Sequence, residues 1–170
     1  ELTLSILAHQ KSKNRESGFV TDVPAAAVEL ASLRREGSST RLVTNGGGMN
    51  PVGCARKVAN ELLSRDLPDL KIGVVVGDDF AGRLDDLVAG GEPLANLDTG
   101  QELATIRDRI ASANVYLGAK GIVEALADEA DIVLTGRIAD ASLVTGPCIH
   151  EFGWRFDQLD RIANATVAGH

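Results

Sequence analysis

Three consecutive apolar residues, Ile132-Val133-Leu134, run straight into Thr135-Gly136 and a polar segment, and no other junction limits the chain's folding options as much. A continuous apolar run closed by glycine and followed by a helix-like stretch reads as a buried parallel strand entering a βα turn. A strand that is apolar on both faces needs helices above and below it. The turn that follows is dense in polar chemistry, with Arg137, Asp140, Ser142 and Thr145 in it or just after it. Ligands of open α/β sheets bind at the carboxyl ends of the strands, so this edge is the first candidate site.

The same alternation recurs upstream. Leu42-Val43 leads into Thr44-Asn-Gly-Gly-Gly-Met-Asn-Pro51, with Asn50 an N-cap and Pro51 the first residue of a helix expected to reach Ser64. Lys71-Ile-Gly-Val-Val-Val76 is the clearest buried strand, ending in Gly77-Asp-Asp79, with a helix expected from Phe80 to Val88. Val115-Tyr-Leu117 reads as another strand, closed by Gly118-Ala-Lys-Gly121 and followed by a helix over Ile122 to Ala127. Leu103, Ile106 and Ile110 mark a helix before it, and Gly90 to Gly100 is an excursion that reads equally as a flap or a contact surface. Leu67-Pro-Asp-Leu70 turns the chain. Near the start, Leu4, Leu7 and Ala8 share a helical face, and Thr21-Asp22 can cap a helix with Pro24 in its first turn. A closing helix from Phe156 to Ala168 is expected to turn Leu159, Ile162, Ala163 and Val167 inward.

The sum is an α/β domain with a mostly parallel, Rossmann-like sheet and helices on both faces, its turns sharing one edge. At 170 residues and 44% hydrophobic content the chain suffices for a single such domain. Both ends fall inside helix-like sequence, so they read as cuts in a longer chain. A net charge of −7, with 17 basic residues among 24 acidic ones, argues against a nucleic-acid surface. No apolar run reaches the roughly 18 residues that would span a bilayer. Cys54 and Cys148 stand far apart without CxxC spacing, which fits a reducing cytoplasm better than a disulfide scaffold or a zinc ribbon.

Four groups of residues carry candidate chemistry. Gly46, Gly47 and Gly48, between Asn45 and Asn50, either present backbone N–H groups to an anion at a helix N-terminus or only permit a tight turn. They form neither GxGxxG nor a P-loop. Asp78 and Asp79, after Gly77, either hold Mg²⁺ or a hydroxyl, or cap the next helix. Lys120 and Arg137 are expected at helix N-terminal ends, where a cation opposes the macrodipole and calls for an acidic neighbour such as Asp140 or an anionic ligand. His150 is a general acid or base candidate, alone or with Glu151, whereas Cys148 and His150 alone make no metal site. Phe152 and Trp154 read as a wall or core.

Thr44-Asn-Gly-Gly-Gly-Met-Asn-Pro51 and the stretch Gly136-Arg-Ile-Ala-Asp-Ala-Ser-Leu-Val-Thr-Gly-Pro-Cys-Ile-His-Glu-Phe-Gly-Trp154 resemble the acyclic terpene utilisation family. The resemblance extends through Gly77-Asp-Asp79 to the closing Thr166-Val-Ala-Gly-His170. It implies a longer chain and a role in catabolism of acyclic isoprenoids such as citronellol and geraniol, through acyl-CoA thioesters. It supplies no reaction and no catalytic residues. Joined to the residues above, it leads to an enzyme that binds an anionic, CoA-thioester-like substrate through Asn45, Gly46, Gly47, Gly48, Asn50, Gly77, Asp78, Lys120, Thr135 and Gly136. Arg137, Asp140 and His150 are then the catalytic candidates. The alternative is a non-catalytic binding or assembly subunit for other enzymes of the pathway, and a homo-oligomer is compatible with both.

Overall fold

The computed structural model describes residues 2–67 and 70–170. Its centre is β3 (Ile132–Thr135), every residue of which is buried. The strand lies between β1 (Leu42–Thr44) and β2 (Ile72–Val75) in a parallel sheet of order β1-β3-β2, with Leu42 and Ile72 both registered on Ile132. The continuous apolar run is explained by two-sided burial. Ile132 and Leu134 enter one core with Val23, Leu30 and Val58, while Val133 enters a second core with Ile122 and Leu126.

Helices α2 (Val23–Arg35) and α3 (Pro51–Ser64) pack together over the first face. Over the other lie α5 (Lys120–Ala127), then α6 (Ser142–Glu151) against α5, and α7 (Leu159–Gly169) against α6. At the edge where the strands end, α1 (Leu2–Lys13) rests on the glycine loop after β1, where Leu7, Ala8 and Met49 form a small core of their own. At the opposite edge Asp131 accepts from the Lys71 backbone N–H at 2.9 Å and pairs with Arg34, joining α2 to the starts of β2 and β3.

Several expectations change. The strand read as the clearest buried one, Lys71 to Val76, is the edge strand β2, none of whose residues is buried, because it has a sheet neighbour on one side alone among the described residues. Val115-Tyr-Leu117 is not a sheet strand: the segment makes two isolated bridges, Asn114 with Asp79 and Leu117 with Ile138. The segment after β2 forms a 3-10 turn (Ala81–Arg83) and the short α4 (Leu84–Ala89) in place of one longer helix. In place of the helix expected from Leu103, Ile106 and Ile110 there are two 3-10 turns, Leu103–Thr105 and Arg107–Arg109, with Ile106 between them and Ile110 after the second. This stretch buries little apolar surface, and without a face to pack on, helical spacing alone does not sustain a helix. A bidentate ion pair of Arg107 with Asp85, at 2.8 and 3.0 Å, ties it together and holds the Asp85 carboxyl below its ordinary range.

Asp22 does not cap α2: it is itself in helical backbone geometry, and Thr21 donates to it. In α7 the inward residues are Ile162, Ala165 and Thr166, while Leu159 and Val167 are largely exposed. Phe152 and Trp154 stack on each other outside the core, with Phe152 mostly exposed. The turn expected over Pro68-Asp69 lies outside the described residues.

Both cysteines are free thiols, Cys54 buried within α3 and Cys148 half-buried on α6. Burial pushes the Cys54 thiol up to about 11, and the thiolate is the reactive form. A chromogenic disulfide reagent at pH 8 is therefore expected to modify Cys148 alone in the native protein and both thiols in denaturant. Rapid modification of both in the native state would contradict the Cys54 packing.

Candidate functional site

Because all three strands run in parallel, the loops 45–50, 76–79 and 136–141 leave the same edge. The glycine loop is built by packing. A Cβ on Gly46 would lie 2.5 Å from Val23, one on Gly47 2.6 Å from the Thr135 carbonyl, and one on Gly48 2.4 Å from Leu7. Three glycines are required by three different neighbours. The loop's N–H groups also look inward: Gly46 donates to Thr44 Oγ1, Gly48 to Asn45 O, Met49 to Gly18 O and Asn50 to Gly47 O.

Asn50 is fully engaged. Its Oδ1 accepts from Gly53 N at 3.0 Å, and its Nδ2 donates to the carbonyls of Arg15 and Ser17, clamping the chain before α2 to the start of α3. The N–H groups of Gly46, Gly48, Met49 and Asn50 are thus taken up within the protein, as the tight-turn reading has it. Asn45 and Gly48 line a hollow of about 200 Å³ together with Leu4, Val20 and Arg137.

Asp78 lies at the junction of the β2 and β3 loops and is 4% exposed. Its Oδ2 accepts from Arg137 N at 2.7 Å and from Asn114 Nδ2 at 2.9 Å. Gly136 is needed beside it, since a Cβ there would sit 2.4 Å from Asp78 Oδ1. Asp79 Oδ1 accepts from Ala81 N, and the Lys11 ammonium stands 3.8 Å from its other oxygen while bonding the Met49 carbonyl. Carboxylates already facing N–H donors and an ammonium do not fit Mg²⁺, which demands several free oxygens. Among the described residues no group of three or more His, Cys, Asp or Glu comes together that could hold a metal ion. Thr135 is buried, and its hydroxyl donates to the Gly136 carbonyl.

What remains open to a ligand centres on Arg137. It precedes α6 by several residues instead of sitting at the helix N-terminus. Its guanidinium lies over the Tyr116 ring at 4.1 Å, within cation–π range. The Asp140 carboxylate is 3.4 Å away and more than half exposed. The Arg137 Nε is buried with no hydrogen-bond partner among the described residues, an arrangement that costs free energy unless something supplies an acceptor.

Arg137 borders a second, larger hollow of about 540 Å³, with Lys120 and Asp140 beside it and Ala139, Ile149, Phe156 and Ile162 among its apolar walls. Ser142, Thr145, Thr166 and His170 add polar points, and Thr145 Oγ1 already donates to the Ala141 carbonyl. Lys120 is exposed and paired loosely with Glu124 at 3.7 Å, a surface contact of small worth. Lys120, Arg137 and Asp140 therefore line one hollow, in which Arg137 and Asp140 pair with each other.

His150 does not join them. Helix α6 runs back from the site, and its last turn brings His150 Nε2 to 3.1 Å from the Arg41 guanidinium, just before β1. Sequence reasoning missed Tyr116, Asn114 and His170. Tyr116 was hidden in an apparent strand, and only its being the single tyrosine of the chain set it apart.

With this geometry in hand, comparison with known protein families finds a match to the acyclic terpene utilisation family protein AtuA over residues 1–170. The chain belongs to that family. Membership ties it to acyclic terpene utilisation. No curated protein and no solved structure matches the chain. Among the described residues no helix is long and apolar enough to cross a membrane.

Proposed function

We propose that this AtuA-family chain binds an anionic, CoA-thioester-like acyclic isoprenoid at the carboxyl edge of the sheet and acts as an enzyme of its catabolism. The observation that carries the reading is the 540 Å³ hollow, apolar along its walls, with a part-buried guanidinium bordering it. A branched hydrocarbon chain suits those walls, and an anionic oxygen suits the unpartnered Arg137 Nε. Lys120, exposed and loosely paired, can swing to a second anionic group. Asp140, held 3.4 Å from Arg137, and His170, on the wall, are the groups placed to move protons.

The test is a thermal-shift and calorimetric titration with an isoprenoid acyl-CoA, with free CoA and the free acid as controls. At about 100 times Kd, one-site binding adds about 2.7 kcal/mol to stability and raises Tm. Arg137→Ala is expected to weaken binding at least about tenfold, a loss of about 1.4 kcal/mol. Arg137→Lys should fall between, because it keeps the charge and loses the planar stacking. No shift with the thioester, in conditions where the protein is folded, would remove this reading and leave the non-catalytic partner role.

A further inference from the structure

We infer that the open edge of β2 is a self-pairing surface, on which two copies of the chain join their sheets through antiparallel β2–β2 contact. Among the described residues β2 ends the sheet on one side, and none of its residues is buried, in contrast to β3. The carbonyls of Lys71 and Val75 accept from residues of the β3 segment. By the alternation of a parallel ladder, Ile72, Val74 and Val76 then aim their N–H and C=O groups away from β3, at the open edge. Ile72, Val74 and Val76 are all β-branched, with no proline, charge or bulge among them. Natural edges of that kind are blunted or covered. The β1 edge is different: Leu42 donates to Asp131, so Val43 is the one residue of that three-residue strand aimed outward.

A groove of about 440 Å³ follows the β2 edge from Lys71 to Val76, with Gly121, Glu124, Ala125 and Asp128 of α5 along its side. Two features point to a second copy as the occupant. The first is charge. Along this face α5 carries Lys120 at one end and Asp128 at the other, so an antiparallel two-fold sets each Lys120 against the partner's Asp128. Glu124 falls near the axis with Lys120 3.7 Å away as its own counter-charge. The second is spacing. α5 packs on both β2 and β3, so pairing at the strand spacing of about 4.8 Å places the two α5 axes about 10 Å apart, a normal helix packing distance. With Val74 on the two-fold axis, Ile72 faces Val76 of the other copy, and two three-stranded sheets fuse into one continuous sheet.

Light scattering of the protein at about 100 µM is expected to show a dimer, which Val74→Pro converts to monomer with unchanged circular dichroism. Proline is tolerable there because the lost N–H points away from β3. Val74→Cys in a Cys148→Ser background gives an independent reading. Facing residues in a hydrogen-bonded antiparallel pair lie about 5.5 Å apart at Cα, inside disulfide range. Oxidation should therefore yield a covalent dimer, while Val75→Cys, turned toward α5, should yield none. A monomer at that concentration, with no crosslink from Val74→Cys, would overturn the inference. So would a dimer that survives Val74→Pro. If Val74→Cys resists thiol reagents in a monomer, the edge is covered by another strand of the same polypeptide, and self-pairing is ruled out.

Discussion

Asp78→Ala is expected to destabilise the protein by about 3 kcal/mol, far more than removal of an exposed carboxylate would. The side chain is 4% exposed, and its Oδ2 receives both the Arg137 backbone N–H and the Asn114 amide. Its loss leaves two donors without a partner, each worth about 1–3 kcal/mol. Asp78→Asn keeps one acceptor oxygen at the same place and should lose about half as much. Urea unfolding with an unchanged m-value measures both variants. The effect should reach the site as well. Asp78 is not itself in the lining of the larger hollow, yet it holds the peptide of Arg137, which is, so thioester affinity should fall in Asp78→Ala even where the fold persists. A midpoint within about 0.5 kcal/mol of the parent would show that water replaces the carboxylate at no cost.

Gly47→Ala is expected to be similarly severe, at about 3 kcal/mol, through overpacking. The added methyl would stand 2.6 Å from the Thr135 carbonyl oxygen and 2.7 Å from the Pro51 ring. Neither neighbour can retreat. Thr135 is the last residue of the buried central strand, and Pro51 opens α3. Relief would require prising the glycine loop away from the end of β3. Gly82→Ala is the control, since nothing lies within 4 Å of its added methyl and its backbone lies outside the left-handed region. It should change stability by no more than about 0.5–1 kcal/mol, in either direction. Equal losses at both positions would show that the close packing at Gly47 is not the cause.

The elements that were legible in the sequence are those whose cause is local. Asn50-Pro51 starts a helix because an amide can accept from Gly53 N and proline needs no donor, and the helix runs from Pro51 to Ser64 as read. Ile132-Val-Leu-Thr135 could be read as a buried parallel strand because three apolar side chains in a row suit a position covered on both faces, and the sheet order alone put it at the centre. The failures fall where burial was assumed. Leu103, Ile106 and Ile110 have helical spacing, but the stretch has little to pack on and settles into 3-10 turns. In α7 the spacing pointed to Leu159, Ile162, Ala163 and Val167 as the inward face, but contact with α6 chose the face of Ile162 and Ala165 and left Leu159, Ala163 and Val167 exposed.

The sequence by itself determined that the chain builds a parallel α/β sheet, that polar turns gather at one edge of it, and that Arg137 and Asp140 lie close together there. Only the tertiary structure decided which of those polar groups meet. It set Asp78 under the Arg137 peptide, laid Tyr116 under its guanidinium, turned the three glycines to packing, and carried His150 to the far end of the sheet. The physical reason is one of range. Caps, turns and buried strands are governed by forces within a few residues, whereas these partners are joined through strand order and helix direction, which no local pattern records.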